Sequence, residues 1–270
     1  MDFPQIAAQL FSDDAEARLA ALSALNTHND RVSLSPEICR GLLLCLGHSR
    51  KTVQRGAATQ LARFALRQPE IVTILIQKLT DADPRVRWTA AFTLSHIDLP
   101  APFPLSVLIE NLGHAESDLR WAAATAVLRL AAHHPTVVGA MLSLVGTGNA
   151  VQRRMALYCL RDLEQTDTDA QGVYLASLND TDAGVRLAAL SCLGKLKLAL
   201  AQASEVLLRL LTTDPDPGVR RAVAVTLGQL GESSPPVIEA LTAAAQADDI
   251  GLGKAAGGAL ARLQRLTRQQ

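Results

Sequence analysis

The chain contains few aromatic residues, which make up 3% of its 270 positions, so aliphatic side chains and alanine must supply its core. It has no excess of charge, with 26 basic and 26 acidic residues. No apolar run of about 18 residues without charges occurs, and this absence predicts no membrane span. The first residues, Met1 to Pro4, lack the basic and then apolar layout of a signal peptide, so we expect a cytoplasmic protein.

Recognised motifs of catalysis and of cofactor binding are also absent. There is no P-loop, no glycine fingerprint after a strand and no GxSxG elbow. The four cysteines form no CxxC pair. Cys159 and Cys192 share a repeat position, where helices lie ~8–10 Å apart, beyond the ~7 Å that a disulfide allows. We therefore expect free buried thiols, no metal, no cofactor and no catalytic activity.

A phrase of an acid, a gap, an apolar residue and an arginine recurs along the chain. Its clearest copies are Asp83-Pro84-Arg85-Val86-Arg87, Asp182-Ala183-Gly184-Val185-Arg186 and Asp216-Pro217-Gly218-Val219-Arg220. The last position of the phrase, here called the register position, recurs every 33 to 36 residues, at Arg18, Gln54, Arg87, Arg120, Arg153, Arg186, Arg220 and Gly253. Small or aliphatic residues follow it at offsets of 3, 7 and 10, which is the stripe of an α-helix.

This periodicity predicts an all-α protein, a right-handed α-solenoid of about eight two-helix repeats. An apolar run before each acid forms the first helix, and the stripe after it forms the second. We predict one array over residues 1–270, with repeats at 1–30, 35–68, 69–101, 102–134, 135–168, 169–201, 202–234 and 235–268. The short first repeat and the glycine-rich last repeat are typical of array ends.

The repeated phrase resembles the HEAT-repeat family, in the short bacterial form that phycobilin lyases share. The resemblance implies a bacterial protein with an α-α superhelix and a ladder of turn acids and arginines between successive repeats. The implied acids are Asp14, Asp83, Glu116, Asp182, Asp216 and Asp249, and the implied arginines are Arg18, Arg87, Arg120, Arg153, Arg186 and Arg220. Arg50, Gln54 and Asn149 depart from this pattern. Some HEAT-repeat proteins hold two irons with His-Glu dipeptides, and this chain has none.

In HEAT-type arrays the second helices line the concave surface. Offsets 1, 5, 8 and 9 lie opposite the core stripe, and here they are mostly basic and hold both tryptophans. We call these positions the basic face and predict that it binds a partner through Arg55, Trp88, Phe92, Trp121, Arg129, Arg154, Tyr158, Arg161, Arg221 and Lys254. Arginine and tryptophan dominate binding hot spots, and arginine pairs with carboxylates. The alternative is that the tryptophans pack between helices and the cations only solubilise them.

Three functions are consistent with this pattern. The leading hypothesis is a non-catalytic scaffold or assembly factor that binds an acidic protein segment. A second is a phycobilin-lyase-like protein, in which aromatic residues stack on a tetrapyrrole and Arg154 and Arg161 pair with its propionates. A third is nucleic-acid binding, including resemblance to HEAT-like alkylpurine glycosylases with Asp162 as the acid, but a neutral chain disfavours it.

Overall fold

A computed structural model describes residues 1–27, 34–97, 105–198 and 201–268 of the chain. Over these ranges it contains sixteen α-helices and no strand, which confirms the all-α solenoid. The helices are α1 (Phe3–Leu10), α2 (Ala15–Asn26), α3 (Pro36–Cys45), α4 (Lys51–Ala65), α5 (Pro69–Lys78), α6 (Pro84–Leu94), α7 (Leu105–Leu112), α8 (Ser117–Ala131), α9 (Thr136–Thr147), α10 (Ala150–Asp162), α11 (Thr168–Ser177), α12 (Ala183–Leu196), α13 (Ala201–Thr213), α14 (Pro217–Leu230), α15 (Pro235–Ala245) and α16 (Ile250–Thr267). None of them is long and apolar enough to cross a bilayer.

The helices follow one another in pairs along the described residues, and the boundaries of the repeats stay a prediction. Helix α11 begins at Thr168, one residue before the predicted start of its repeat at 169. Helix α13 begins at Ala201, one residue before the predicted start at 202. The predicted boundaries at residues 30, 101 and 102 lie outside the described residues.

The acid of the repeated phrase begins the second helix of a repeat. Its carboxylate accepts a hydrogen bond from a backbone N–H in the first turn, at Asp14, Asp83, Asp182, Asp216 and Asp249. Each such cap stabilises its helix by about 1 kcal/mol. Asn149 takes the same role and forms a capping box with Gln152. Glu116 and Arg50 occupy the cap position without a side-chain cap bond.

The helices form two compact units, residues 1–134 (unit 1) and 135–270 (unit 2), each with four helix pairs. Within unit 1, α2, α4 and α6 pack side by side, and within unit 2 the row is α10, α12, α14 and α16. The prediction of one array over the whole chain stays a prediction.

A small residue lies where each second helix meets its neighbours. Offset 3 from the register position is fully buried in every repeat, at Ala21, Ala57, Ala90, Ala123, Ala156, Ala189, Val223 and Ala256. The small side chains let the helices approach closely. One such close approach involves Gly228 of α14, where a Cβ atom would lie 2.9 Å from the Cα of Ala259 in α16.

Candidate interaction surface

The register side chain ties down the turn that precedes its own helix. In Arg186 the Nη1 atom donates to the carbonyl oxygen of Asp180 at 2.8 Å, and Arg220 makes the equivalent bond to Asp214 at 2.8 Å. Gln54, which departs from the family pattern, still donates its Nε2 to the carbonyl oxygen of His48. The same kind of bond recurs in the other repeats, from Arg18, Arg87, Arg120 and Arg153. Its recurrence shows a structural role.

Two register arginines also hold a carboxylate of the next repeat with two hydrogen bonds. Arg153 contacts Asp180 at 2.8 and 2.7 Å, and Arg186 contacts Asp214 at the same distances. The side chains of Arg186 and Asp214 are 8% and 1% exposed, so this pair is buried. Partial burial raises the pKa of Asp180, but the bonds from Arg153 and from a backbone N–H outweigh it and lower that pKa.

These pairs correct the predicted ladder, which assigned the acids to the helix caps. The carboxylates of Asp182 and Asp216 accept bonds from their own helices, and the acids that pair lie two residues earlier. A cap acid cannot serve both partners well, because its oxygens already face the N–H groups of its own first turn. Arg220 reaches its cap acid, Asp249, but only at 3.8 Å.

The ladder also changes in the other predicted repeats. Arg87 pairs with Glu110 of α7 at 3.2 Å, while Asp83 pairs with Arg85 at 2.8 Å. Glu116 pairs with Lys51 at 2.7 Å. The Nε of Arg120 is buried without a hydrogen-bond partner among the described residues.

Trp88 does not lie exposed on the basic face as predicted, because it is only 7% exposed. Lys51, Gln54 and Arg55 of α4 and Leu119 of α8 surround it. Lys51 links α4 to the start of α8, because it pairs with Glu116 at 2.7 Å and with Asp118 at 3.3 Å. The large ring fills the space between neighbouring second helices, so the packing interpretation is correct for this residue.

The other predicted residues of unit 1 remain accessible. Trp121 is 46% exposed, and Arg55 and Arg129 are exposed. Phe92 is half-buried, with its ring centroid 5.4 Å from that of Trp88 and 5.9 Å from the guanidinium carbon of Arg129. The accessible part of the basic face in unit 1 is therefore one exposed indole with two cations and a partly covered phenyl ring.

In unit 2, Arg161 is bound to other groups of the protein. Its guanidinium donates to both carboxylate oxygens of Asp162 and to the hydroxyl of Ser191, and it lies 4.8 Å from the ring centroid of Tyr158. Lys195 contacts the same carboxylate at 2.8 Å. Partial burial raises the pKa of Asp162, but the bonds from Arg161 and Lys195 outweigh it and keep that pKa below its ordinary value. The carboxylate of Asp162 therefore forms ion pairs with two cations, Arg161 and Lys195.

Arg154 and Arg221 occupy equivalent positions two repeats apart, and each lies across a glycine of the following repeat. A Cβ atom on Gly184 would lie 3.0 Å from Nη1 of Arg154, and one on Gly251 would lie 2.7 Å from Nη1 of Arg221. The missing side chains leave room for the two guanidinium groups. Arg154, Arg221 and Lys254 make no ion pair with any residue in the described ranges.

A groove of about 390 Å³ lies between α12 and α14, and Lys195 is the cation in its wall. Its wall contains Leu187, Leu190 and Val225, and Val225 is 45% exposed. Val225 is not among the predicted binding residues, although it stands at offset 5, the position of Phe92 and Tyr158 in other repeats.

A family model described as HEAT repeats matches residues 39–129 and 173–261, about two thirds of the chain. The chain belongs to the HEAT-repeat family. No curated protein matches it by sequence.

Solved structures resemble this HEAT-repeat chain over almost its whole length. YibA from E. coli aligns with a TM-score of 0.57 and 17% identity, covering 98% of this chain and 93% of YibA. The karyopherin Kap121p bound to the extreme C-terminus of the protein phosphatase Cdc14p gives 0.66 and 14%, covering 97% of this chain and 34% of the karyopherin. Kap95 in its complex with Nup1 gives 0.61 and 15%, covering 97% and 40%. At these identities the likeness shows the fold alone.

Proposed function

We propose that this HEAT-repeat chain is a non-catalytic scaffold or assembly factor that binds an acidic, partly apolar segment of a protein partner. The observation that carries the proposal lies in unit 2. Arg154, Arg221 and Lys254 lack ion pairs among the described residues, and they share the repeat position of Leu187, which lines the groove between α12 and α14. Arginine and lysine side chains without ion pairs, in line with an apolar residue of a groove, favour a ligand with carboxylates on either side of an apolar residue.

The spacing of the cations sets the spacing of the ligand. Arg154 lies on α10 and Arg221 at the same position of α14, with α12 between these two helices. Adjacent helices lie ~8–10 Å apart, so the two guanidinium groups are roughly 20 Å apart. An extended peptide covers this distance in about six residues. Leu187 holds the same position on α12. The preferred segment therefore has two acidic residues about six positions apart with an apolar residue between them.

Trp121 gives unit 1 a separate place for partner contact. Its indole is 46% exposed, and large exposed aromatic residues are frequent anchors of protein interfaces. Among the solved structures of similar fold, Kap121p binds the C-terminus of Cdc14p and Kap95 binds Nup1. Those proteins illustrate that HEAT-type arrays hold protein segments, which supports a binding role here.

The two other functions receive less support from the geometry. The bilin hypothesis requires Arg161 to pair with a propionate, and this guanidinium already holds Asp162 and Ser191. The glycosylase hypothesis requires Asp162 as the acid, and this carboxylate is bound by Arg161 and Lys195. Neither residue is available without breaking an existing ion pair.

The test compares the wild type with the double variant Arg154→Ala/Arg221→Ala. The matched control, Arg209→Ala/Arg265→Ala, removes two exposed arginines of unit 2 that do not share the repeat position of Arg154, Leu187 and Arg221. Each protein is immobilised and exposed to a lysate of the native cells, and retained proteins are quantified by mass spectrometry. Overlapping peptides of any retained protein are then measured by fluorescence anisotropy at low and moderate salt.

A partner that the wild type and the control retain, and that the double variant loses, supports the proposal if its binding peptide carries the spaced acids. Binding should weaken at least about tenfold in the double variant, since each desolvated arginine–carboxylate contact contributes about 1 kcal/mol or more. It should also weaken with salt, because exposed charges are screened. Equal retention by all three proteins would refute the assignment of this face.

A further inference from the structure

A cavity of about 640 Å³ lies in unit 1, on residues that the basic face does not include. The apolar part of its wall contains Phe11 and Leu44, which are 47% and 50% exposed. The polar part contains Arg18, Arg40, His48 and Lys78. Its volume is in the ~300–1,000 Å³ range of ligand pockets, and its wall combines the apolar surface and the few polar groups that such pockets have.

Arg18 in this wall is a register arginine without its acid. Arg153 and Arg186, at the equivalent position, each hold a carboxylate of the next repeat, Asp180 and Asp214. The residue that corresponds to these acids, two positions before the helix cap of the second repeat, is His48. The ladder is therefore interrupted at the cavity.

Because the ladder is interrupted here, part of the guanidinium of Arg18 has no acceptor among the described residues. Arg18 is 7% exposed, and its Nε donates to the carbonyl oxygen of Ser12 at 2.6 Å. Its Nη1 contacts the sulfur of Cys45 at 3.7 Å. Arg186 holds Asp214 through Nε and Nη2, and of these two atoms in Arg18 only Nη2 donates to no group in the described part of the chain. An almost buried guanidinium without a carboxylate is a strong site for an anion.

The other polar groups of the wall add donors and no free acid. Arg40 is exposed and makes no ion pair with a described residue. Nδ1 of His48 accepts from the backbone N–H of Arg50 at 3.0 Å, so the neutral ring presents Nε2–H as a donor. Asp83, the acid in this wall, is held by Arg85 at 2.8 Å. Lys78 forms an ion pair with Asp81 at 2.8 Å.

We propose that this cavity is a second recognition site, which binds a partner peptide through an aspartate or glutamate that stands next to a large apolar residue. The carboxylate takes the ladder position that Asp214 takes opposite Arg186, where it accepts from Arg18 and faces Arg40. The neighbouring apolar side chain of the peptide packs on Phe11 and Leu44, which are exposed parts of the wall that a carboxylate alone would leave uncovered. The site is independent of the groove in unit 2.

The substitution His48→Asp tests this assignment by supplying the missing acid from within the chain. An aspartate fits this position, since Asp180 and Asp214 accept there from the N–H of the helix cap, as His48 does. We expect it to pair with Arg18 and to displace the peptide. His114→Asp is the matched control, because His114 also accepts from its cap N–H while the arginine of that step, Arg87, already pairs with Glu110.

The experiment selects binders of the full chain from a phage-displayed library of random 12-residue peptides. Enriched peptides are measured by fluorescence anisotropy against the wild type, His48→Asp, Arg40→Ala, His114→Asp and Arg154→Ala/Arg221→Ala. Circular dichroism melts show whether each variant is folded. The melting temperature of His48→Asp should equal or exceed that of the wild type, because the new pair replaces an unpaired buried charge.

The proposal expects a class of peptides with an acid beside a large apolar residue. Its affinity should fall at least about tenfold for His48→Asp and severalfold for Arg40→Ala, since charge-assisted bonds are lost. The affinity should stay within about twofold for His114→Asp and for the unit 2 double variant. No enrichment by the wild type, enrichment of peptides without acids, or equal affinity for His48→Asp would each overturn the proposal.

Discussion

The pair between Arg186 and Asp214 gives the sharpest prediction about the stability of unit 2. The substitution Asp214→Ala removes a carboxylate whose side chain is 1% exposed and which accepts two bonds from Arg186, at 2.8 and 2.7 Å. It also removes the acceptor of the backbone N–H of Asp216, at 2.9 Å. The guanidinium keeps its bonds to the carbonyl oxygens of Asp180 and Thr181, so it stays in place without a counter-charge.

The expected loss of unfolding free energy is about 4 kcal/mol. Breaking a buried ion pair on one side costs ~3–5 kcal/mol, because the remaining charge is buried without a partner. For a cooperative unit of this size, 1 kcal/mol shifts the melting temperature by roughly 3–4 °C, so Tm should fall by about 12–16 °C. Asp180→Ala should cost about half as much, since the side chains of Asp180 and Arg153 are 14% and 20% exposed.

The measurement is urea unfolding followed by circular dichroism at 222 nm, with the wild type and Asp248→Ala as references. Asp248 is exposed, and its removal should change stability by no more than about 0.5 kcal/mol. The double variant Arg186→Met/Asp214→Leu should recover at least half of the loss, because an apolar pair leaves no buried charge. A cost below about 1 kcal/mol for Asp214→Ala, or a double variant less stable than the single one, would refute this reasoning.

Three further predictions concern packing, thiol chemistry and pH. Gly228→Ala should destabilise the chain by ~1–3 kcal/mol, because its Cβ would lie 2.9 Å from Ala259, whereas Gly139→Ala, with nothing within 4 Å, should gain ~0.5–1 kcal/mol in the same urea titration. Burial raises the pKa of Cys159 and Cys192 to about 12. Ellman's reagent at pH 8 should therefore modify these two thiols only after unfolding. If they react in native buffer as fast as in the unfolded protein, they are not buried. Because the pKa of Asp180 is lower in the folded state, its contribution is complete above the unfolded pKa near ~4 and is lost as the pH falls through the folded value. Asp180→Asn should therefore reduce the acid-induced fall of the urea midpoint between pH 5 and pH 3, and an unchanged fall would count against the pair.

Much of the fold follows from local rules that a sequence displays. The recurrence of Asp182 and Asp216 before helical stripes predicts where second helices begin, since a side-chain cap depends only on neighbouring residues. Alanine at offset 3, such as Ala189, predicts the packing face because the helical period is fixed. The ladder was harder to predict. Asp180 and Asp214 stand in turns whose geometry decides which carboxylate reaches the arginine of the preceding repeat.

The candidate surfaces depended more on the three-dimensional structure. A helical wheel placed Trp88 and Trp121 at the same offset, but one indole is 7% exposed and the other 46%. The difference arises because Lys51, Gln54 and Leu119 from two other helices cover Trp88. A wheel describes one helix, so it carries no information about what a neighbouring helix places over a residue.

The sequence by itself determined the helices, their pairing into repeats and the family, because these depend on periodicity and on caps within a few residues. Only the tertiary structure decided which charges are free. The sequence pattern assigns both Arg161 and Arg154 to the basic face, yet Arg161 is bound to Asp162 while Arg154 lies across Gly184 without an ion pair among the described residues. The same holds for Arg18, which becomes a candidate anion site because His48 stands where two later repeats place Asp180 and Asp214. Charge pairing depends on distances between repeats, and those distances are set when the helices pack.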